Sequence, residues 1–168
     1  MSAAERTDDL VAAGFVKVLF ALERDEDGWP PVSVEGLWAR RSGPDLVVID
    51  NVPWFVRDVA CGDVFGIRTD ADGQVWAEGK VTWSGRCTIR VIPWQDGPLA
   101  GDRQVVLDVF APFGVTGEGV EQFGMVALDV PPEADLLTVR ALLAAGEADG
   151  RWAFEEGCIG DAWAAIDT

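Results

Sequence analysis

The chain has 168 residues, of which 49% are hydrophobic, and its 13 basic and 29 acidic side chains give a formal net charge of −16. This length suits one domain or two small units that share a core, and the charge disfavours nucleic acid and anionic membrane surfaces as partners. The chain contains no histidine or tyrosine, which excludes Ser-His and Cys-His nucleophile pairs, histidine-ligated zinc and histidine general bases.

The first residues, MSAAERTDDL, are polar and acidic and do not resemble a signal peptide. We expect residues 1–13 to be a flexible N-terminus and the protein to be cytoplasmic, since no apolar run approaches the roughly 20 residues of a membrane helix. Cys61, Cys87 and Cys158 are widely spaced and odd in number, which fits neither a disulfide framework nor a zinc site. We therefore expect no metal or other cofactor.

Residues 14–86 predict an antiparallel β-meander or small barrel, because short extended runs alternate with turn signals. In the second run Val32 and Val34 alternate with Ser33 and Glu35, and Gly36 is interpreted as a bulge that re-aims the residues after it. Asp72-Gly73 predicts the turn of a hairpin. The candidate strands lie within 14–25, 32–41, 45–50, 64–70 and 74–84.

Residues 87–160 change period and predict a ferredoxin-like α/β half packed on the meander, so the fold class is α+β. A strand at 87–94 precedes a helix at 103–114 that Asp102 can cap, although its apolar residues also fit a strand. A strand at 124–130, a helix within 131–150 and a strand at 151–157 complete the order β-α-β(-β)-α-β. Residues 161–168 are expected to be a C-terminal tail.

The strand at 87–94 places Thr88 and Arg90 on the face opposite to the apolar Cys87, Ile89 and Val91. Next to the Ser84-Gly85 turn, an arginine and a hydroxyl could hold a carboxylate or phosphate. The structural alternative is an ion pair between Arg90 and an acid that braces the two halves. The acids considered are Glu35, Asp50 and Asp63.

The segment DNVPWFV combines turn residues with two aromatic side chains. Asp50 and Asn51 can bond their own backbone, and Pro53 fixes its φ angle. Trp54 and Phe55 then either plug the end of a barrel or line a pocket.

Catalysis has weaker support in the sequence. Glu35 with Asp50 or Asp63 could form a carboxylate pair, but pairs arise by chance among 29 acids. Cys87 would need a lowered pKa to act as a nucleophile, and Gly62-Asp63 lacks the remaining residues of a phosphate loop. Whether the protein is an enzyme is left open, with the patterns leaning against it.

The stretches VKVLFALERDEDGWPPVSVEGLWA, IDNVPWFVRDVACGDVF and WSGRCTIRV resemble the bacterial family known as domain of unknown function 4265. The resemblance covers residues 16–92 and extends loosely over the later chain. It implies that the polar residues selected by alternation belong to the recurrent pattern of the family. The matching positions are Pro30, Pro31, Glu35, Trp38, Asp50, Asn51, Pro53, Phe55, Gly62, Asp63, Ser84, Gly85, Thr88 and Arg90.

These observations favour a small binding or regulatory protein with a cleft for a polar or anionic molecule where its two halves meet. One alternative is an acidic immunity or inhibitor protein that binds a basic protein. Another is a tailoring or hydrolytic enzyme based on carboxylates. The predicted ligand-binding residues are Arg90, Thr88, Ser84, Gly85, Glu35, Trp38, Asp50, Asn51, Trp54 and Asp63.

Overall fold

The computed structural model describes residues 2–166, and the chain divides into two compact units. The first unit comprises the chain up to Asn51 together with Cys61–Ser84, and the second comprises Val52–Ala60 together with the chain from Gly85 onward. This division differs from the predicted boundaries at 14–86 and 87–160, because a segment from the middle of the first half belongs to the second unit. None of the helices within residues 2–166 has the length and hydropathy needed to span a membrane.

A helix, α1 (Ala3–Ala12), begins the first unit, where the sequence predicted flexibility. The Ser2 hydroxyl accepts a hydrogen bond from the backbone N–H of Glu5, and the Glu5 carboxylate accepts one from the backbone N–H of Ser2. The hydrogen bond from the Ser2 backbone N–H also lowers the pKa of Glu5, and the Ser2 side chain acts in the same direction with a smaller effect. The Ser-x-x-Glu spacing is a capping box, so the signal for this helix was present in the sequence.

The first unit contains five strands whose pairing closes the sheet. Neighbouring strands are antiparallel, and β1 and β5 also pair in parallel, at Val18 with Val75 and at Leu19 with Trp76. The sequence left a meander and a small barrel open, and the β1–β5 pairing distinguishes them, because a meander would leave both of these edge strands unpaired. The strands are β1 (Phe15–Ala21), β2 (Val34–Arg41), β3 (Leu46–Ile49), β4 (Val64–Thr69) and β5 (Val75–Thr82).

Strand β2 shows that the predicted bulge at Gly36 was wrong, and that the face of Glu35, not that of Val34, is the buried one. The register with β1 is continuous through the Leu19–Gly36 pair, and Glu35 is buried while Val34 is 38% exposed. Glu35 alternates in phase with the buried Leu37, so the faces do not exchange at the glycine. A Cβ at position 36 would lie 2.7 Å from Cε of Lys17, so a larger residue there would require the Lys17 side chain to shift.

The hairpin of β4 and β5 is confirmed, with its turn where it was predicted. The Asp70 carboxylate accepts hydrogen bonds from the backbone N–H groups of Asp72 and Gln74, and Gly73 has a φ of 81°. Irregular pairing between β4 and β5 shows that the bulges of this unit lie here and not in β2.

The second unit has a four-stranded sheet with the order β7-β8-β6-β9, in which all neighbours are antiparallel. The optional strand in the predicted β-α-β(-β)-α-β order is present as β7, which pairs with β8. A mixed α+β fold is therefore confirmed. The elements are β6 (Cys87–Pro93), α2 (Arg103–Phe110), a 3-10 turn (Ala111–Phe113), β7 (Thr116–Val120), β8 (Met125–Val130), α3 (Leu136–Ala148), β9 (Trp152–Cys158) and α4 (Asp161–Ala164).

The main apolar cluster of the second unit contains residues of α2, α3 and the sheet. Asp102 caps α2 as predicted, since its carboxylate accepts hydrogen bonds from the backbone N–H groups of Gln104 and Val105. The resulting helix buries Val106 and Phe110, as the helical spacing predicted. The buried members of the cluster are Cys87, Ile89, Val91, Val106, Phe110, Val115, Val126, Leu128, Val130, Val139, Leu143, Trp152 and Trp163.

The segment that the sequence predicted to be a C-terminal tail begins with α4, and Trp163 anchors this helix in the apolar cluster. The Trp163 indole is fully buried, and its Nε1–H donates to Oε1 of Glu156 at 2.9 Å. The Arg140 guanidinium lies 5.7 Å from the ring centroid. The last two residues of the predicted tail, 167 and 168, lie outside the described residues.

We expect Trp163→Ala to lower the free energy of unfolding by about 3–5 kcal/mol, because it removes a large buried side chain and leaves a cavity. Urea denaturation followed by circular dichroism measures this change. Trp94→Ala is the matched control, since Trp94 is 44% exposed and a surface change costs roughly 0.5 kcal/mol or less. Equal denaturation midpoints for the two variants would contradict the anchoring role of α4.

Candidate functional site

Strand β6 lies inside the second sheet, between β8 and β9, and carries the two side chains that the sequence singled out. Cys87, Ile89 and Val91 belong to the apolar cluster, as predicted. Thr88 and Arg90, which alternate with them, are 1% and 3% exposed. A polar and a charged side chain are therefore buried on the other face of the sheet, where each needs a partner.

The segment Val52–Ala60, called the strap below, supplies those partners within the second unit. The Thr88 hydroxyl donates to the carbonyl oxygen of Val59 at 2.9 Å, and Nη2 of Arg90 donates to the carbonyl oxygen of Val56. The Asp58 backbone N–H donates to the carbonyl oxygen of Gly157 at 2.8 Å. The Arg90–Val56 bond therefore joins two motifs of the sequence, the DNVPWFV segment and the Thr88–Arg90 alternation.

The Arg90 guanidinium is held by an acid of the neighbouring strand β9. Nη1 of Arg90 lies 2.8 Å from Oε1 of Glu155, and Nη2 of Arg57 lies 3.4 Å from the same oxygen. Gly157 makes room for this pair, because a Cβ there would lie 2.9 Å from Cζ of Arg90. Glu155 was not among the acids considered from the sequence; its position follows from the Arg90–Glu155 register of β6 and β9.

Arg86, the residue directly before β6, is also bound by an acid. Its Nε and Nη2 lie 2.8 and 3.0 Å from the two carboxylate oxygens of Asp129 on β8. Such bidentate pairs fix the orientation of both side chains. The two arginines thus bind acids on opposite neighbours of the central strand, which explains why this acidic chain concentrates basic residues here.

The predicted site residues of the first unit form two small groups. The fully buried Asp63 carboxylate accepts a hydrogen bond from the Ser84 backbone N–H at 2.8 Å and lies 3.0 Å from Nζ of Lys80. The Asn51 side chain accepts a hydrogen bond from the Trp38 backbone N–H at 2.6 Å.

The remaining predicted site residues are distributed over both units. In the first unit Asp50 pairs with Arg40 at 3.3 Å, and Glu35 lies buried in β2. In the second unit Gly85 has a φ of 87°, as its predicted turn requires, and Trp54 is half-buried in the strap.

The buried Cys87 thiol is a poor nucleophile in this environment. Burial raises its pKa, and the hydrogen bond with the Gly160 backbone, which acts in the opposite direction, is the smaller influence. The thiolate is the reactive species, so a raised pKa reduces reactivity near neutral pH. Within residues 2–166, His, Cys, Asp and Glu side chains form no group of three that could hold a metal ion.

We expect Arg90→Ala to lower the free energy of unfolding by about 2–3 kcal/mol, because it removes the charged donor to the Val56 carbonyl and leaves Glu155 with only the longer contact to Arg57. Urea denaturation provides the measurement. Arg40→Ala is the control, since Arg40 makes an exposed ion pair, a type of contact worth roughly 1 kcal/mol or less. Equal effects would show that the Arg90 contacts contribute no more than a surface pair.

We expect Cys61 to react first with a thiol reagent such as Ellman's reagent, since it is half-buried whereas Cys87 and Cys158 are buried. The time course of absorbance in native protein, with and without denaturant, tests this order. Cys61→Ser should abolish the fast phase. A fast phase that persists in this variant would show that one of the buried thiols is accessible and activated.

The fold and the site together define a two-unit α+β protein in which a strap from the middle of the chain is bonded to a buried arginine. Residues 35–154 match the family model described as domain of unknown function, DUF4265, and the chain belongs to this family. This confirms the family resemblance seen in the sequence.

The chain is also similar to a crystal structure described as that of a hypothetical protein from Neisseria gonorrhoeae. The TM-score is 0.70 with 16% sequence identity, and the match covers 88% of this chain and 95% of that chain. At this identity the similarity concerns the fold alone. No curated protein matches the chain.

Proposed function

We propose that this protein is a binding protein whose acidic surface recognises a basic protein partner. The observation that carries the proposal is the distribution of charge. Among residues 2–166, ion pairs within the chain engage at least eight of the basic side chains, although the sequence holds only 13. These are Arg40, Arg57, Arg68, Lys80, Arg86, Arg90, Arg140 and Arg151.

The loop between β1 and β2 illustrates how the excess carboxylates are presented. Glu23, Glu26 and Asp27 are exposed. Asp25 holds the loop in place, because its side chain accepts hydrogen bonds from the backbone N–H groups of Asp27 and Trp29. The acids therefore extend from an ordered backbone, which reduces the conformational entropy lost when a partner binds.

A surface of this charge attracts a basic partner over a distance of about 10 Å at moderate salt. Complementary fields accelerate the encounter and make binding sensitive to ionic strength. The same field repels phosphate backbones, so the proposed partner is a protein and not a nucleic acid.

A polar or anionic small molecule at Arg90 is the weaker proposal. The convergence of Arg57 and Arg90 on one oxygen of Glu155 supports it, since this arrangement already selects an oxyanion. A ligand would have to displace Glu155 and the Val56 carbonyl, both of which already accept from the guanidinium. A catalytic role for Glu35, Asp50 or Asp63 receives less support, because Asp50 and Asp63 pair with cations.

We also propose that the second unit is a ferredoxin-like split βαβ fold. Its β-α-β-β-α-β order and its antiparallel strand order β7-β8-β6-β9 support this class. We further propose a cytoplasmic location, which the three free cysteines support because thiols persist in a reducing compartment.

Affinity capture from a cell extract at low salt, followed by purification of the captured protein, tests the proposed function. We expect the captured protein to be basic and to bind the purified chain in isothermal titration calorimetry. The affinity should fall as the salt concentration rises. The variant E23Q/E26Q/D27N should weaken binding more than E118Q/E121Q/E133Q, which neutralises the same number of exposed carboxylates elsewhere. Binding that is insensitive to salt would contradict recognition through the acidic surface. Equal effects of the two variants would contradict recognition through the β1–β2 loop.

A further inference from the structure

The strap is an unusual feature of the connectivity, because the chain enters the second unit at Val52 and returns to the first at Cys61. Six of its residues are buried: Val52, Pro53, Phe55, Val56, Val59 and Ala60. Its backbone accepts hydrogen bonds from side chains of β6 at two points, Val56 and Val59. Phe55 adds an edge-to-face contact with Phe123, with ring centroids 4.9 Å apart.

The sheet beneath the strap has its own sources of stability. Strand β6 pairs with β8 over Cys87–Val91 and with β9 over Thr88–Pro93. In the described part of the chain, the main apolar cluster of the second unit is built from residues outside the strap. The ladder and the helix-covered face therefore do not require the strap to be in place.

The tip of the strap is accessible from solvent. Arg57 and Asp58 are its exposed residues, and Asp58 has a φ of 58°, in the left-handed region that non-glycine residues rarely adopt. The Arg57 guanidinium lies on Glu155, the same acid that holds Arg90. The Glu155 carboxylate thus connects the exposed tip of the strap to the buried Arg90 guanidinium.

We infer that the strap is a conformational latch, pinned by Arg90 and Thr88, which opens as a unit while the sheet of the second unit stays folded. Opening breaks the Arg90–Val56, Thr88–Val59 and Asp58–Gly157 hydrogen bonds and leaves the β6 ladder intact. Local openings of this kind require less free energy than global unfolding. The inference does not depend on the proposed partner, and it assigns the motif residues Thr88 and Arg90 to the control of the strap.

Hydrogen exchange of the full-length protein, followed by mass spectrometry, tests the latch. In Arg90→Met we expect the exchange of peptides within 52–60 to accelerate roughly ten- to a hundredfold, because a charge-assisted hydrogen bond to Val56 is lost. Peptides of β6 and β8 should remain slower than those of the strap, in the wild-type protein and in the variant, because global unfolding requires more free energy than the local opening. Thr88→Val, which removes the second pin with little change in volume, should accelerate the strap roughly two- to tenfold.

Arg140→Met is the matched control, since it removes the same charge from the same unit at a pair with Glu156. It should leave the strap at wild-type rates. Limited trypsin digestion gives a second readout. Arg57 is exposed but the residues on either side of the tip are buried, so cleavage after Arg57 should accelerate when the strap opens, in Arg90→Met but not in Arg140→Met. If Arg90→Met does not fold, Thr88→Val decides. Strap rates that stay unchanged in both variants, or that equal those of β6 and β8 in the wild-type protein, would overturn the latch.

Discussion

The buried guanidinium of Arg90 joins the strap to the sheet of the second unit. A charged group inside a protein is tolerated only when ionic and hydrogen-bonding partners replace the water it has lost. For Arg90 these partners come from separate parts of the chain, the Glu155 carboxylate of β9 and the Val56 carbonyl of the strap. Gly157 provides the space. The Arg90 side chain of β6 therefore links β9 and the strap.

The same principle accounts for the contrast between interior and surface. Arg86 with Asp129 and Lys80 with Asp63 repeat, in the two units, the pairing of a cation with a buried carboxylate. Because the few basic residues are used in this way, the remaining acids determine the external field. The Thr88–Arg90 pattern, which predicts a ligand site in the sequence, contacts one acid and two backbone carbonyl groups within the second unit. This distribution of charge is the basis for the proposed binding of a basic protein.

Much of the fold followed from local patterns. Period and turn chemistry correctly indicated the β4–β5 hairpin, the Asp102-capped helix α2 and the succession of strands and helices along the second unit. The polar, acidic composition of residues 1–13 predicts a flexible N-terminus, whereas the capping box of Ser2 and Glu5 forms helix α1.

Features that depend on tertiary contacts could not be predicted. The phase of β2 is set by its pairing with β1, which places Glu35 inside. The closure of the first sheet by β1 and β5 joins segments far apart in sequence. For the site, alternation identified Thr88 and Arg90 as unusual, but their partners Val59, Val56 and Glu155 carry no local signal, since a backbone carbonyl exists at every position and acids are abundant.

The interleaved path of the chain limits how this architecture can be rearranged in evolution. Because the strap lies between Asn51 and Cys61, a genetic fusion or exchange that transferred only the region from Gly85 onward would omit the carbonyl groups that Arg90 and Thr88 bind. In the recipient, the Arg90 guanidinium would lack the acceptor that the strap supplies. The two units are thus poor candidates for independent modules, and recombination is expected to transmit them as a single inherited block.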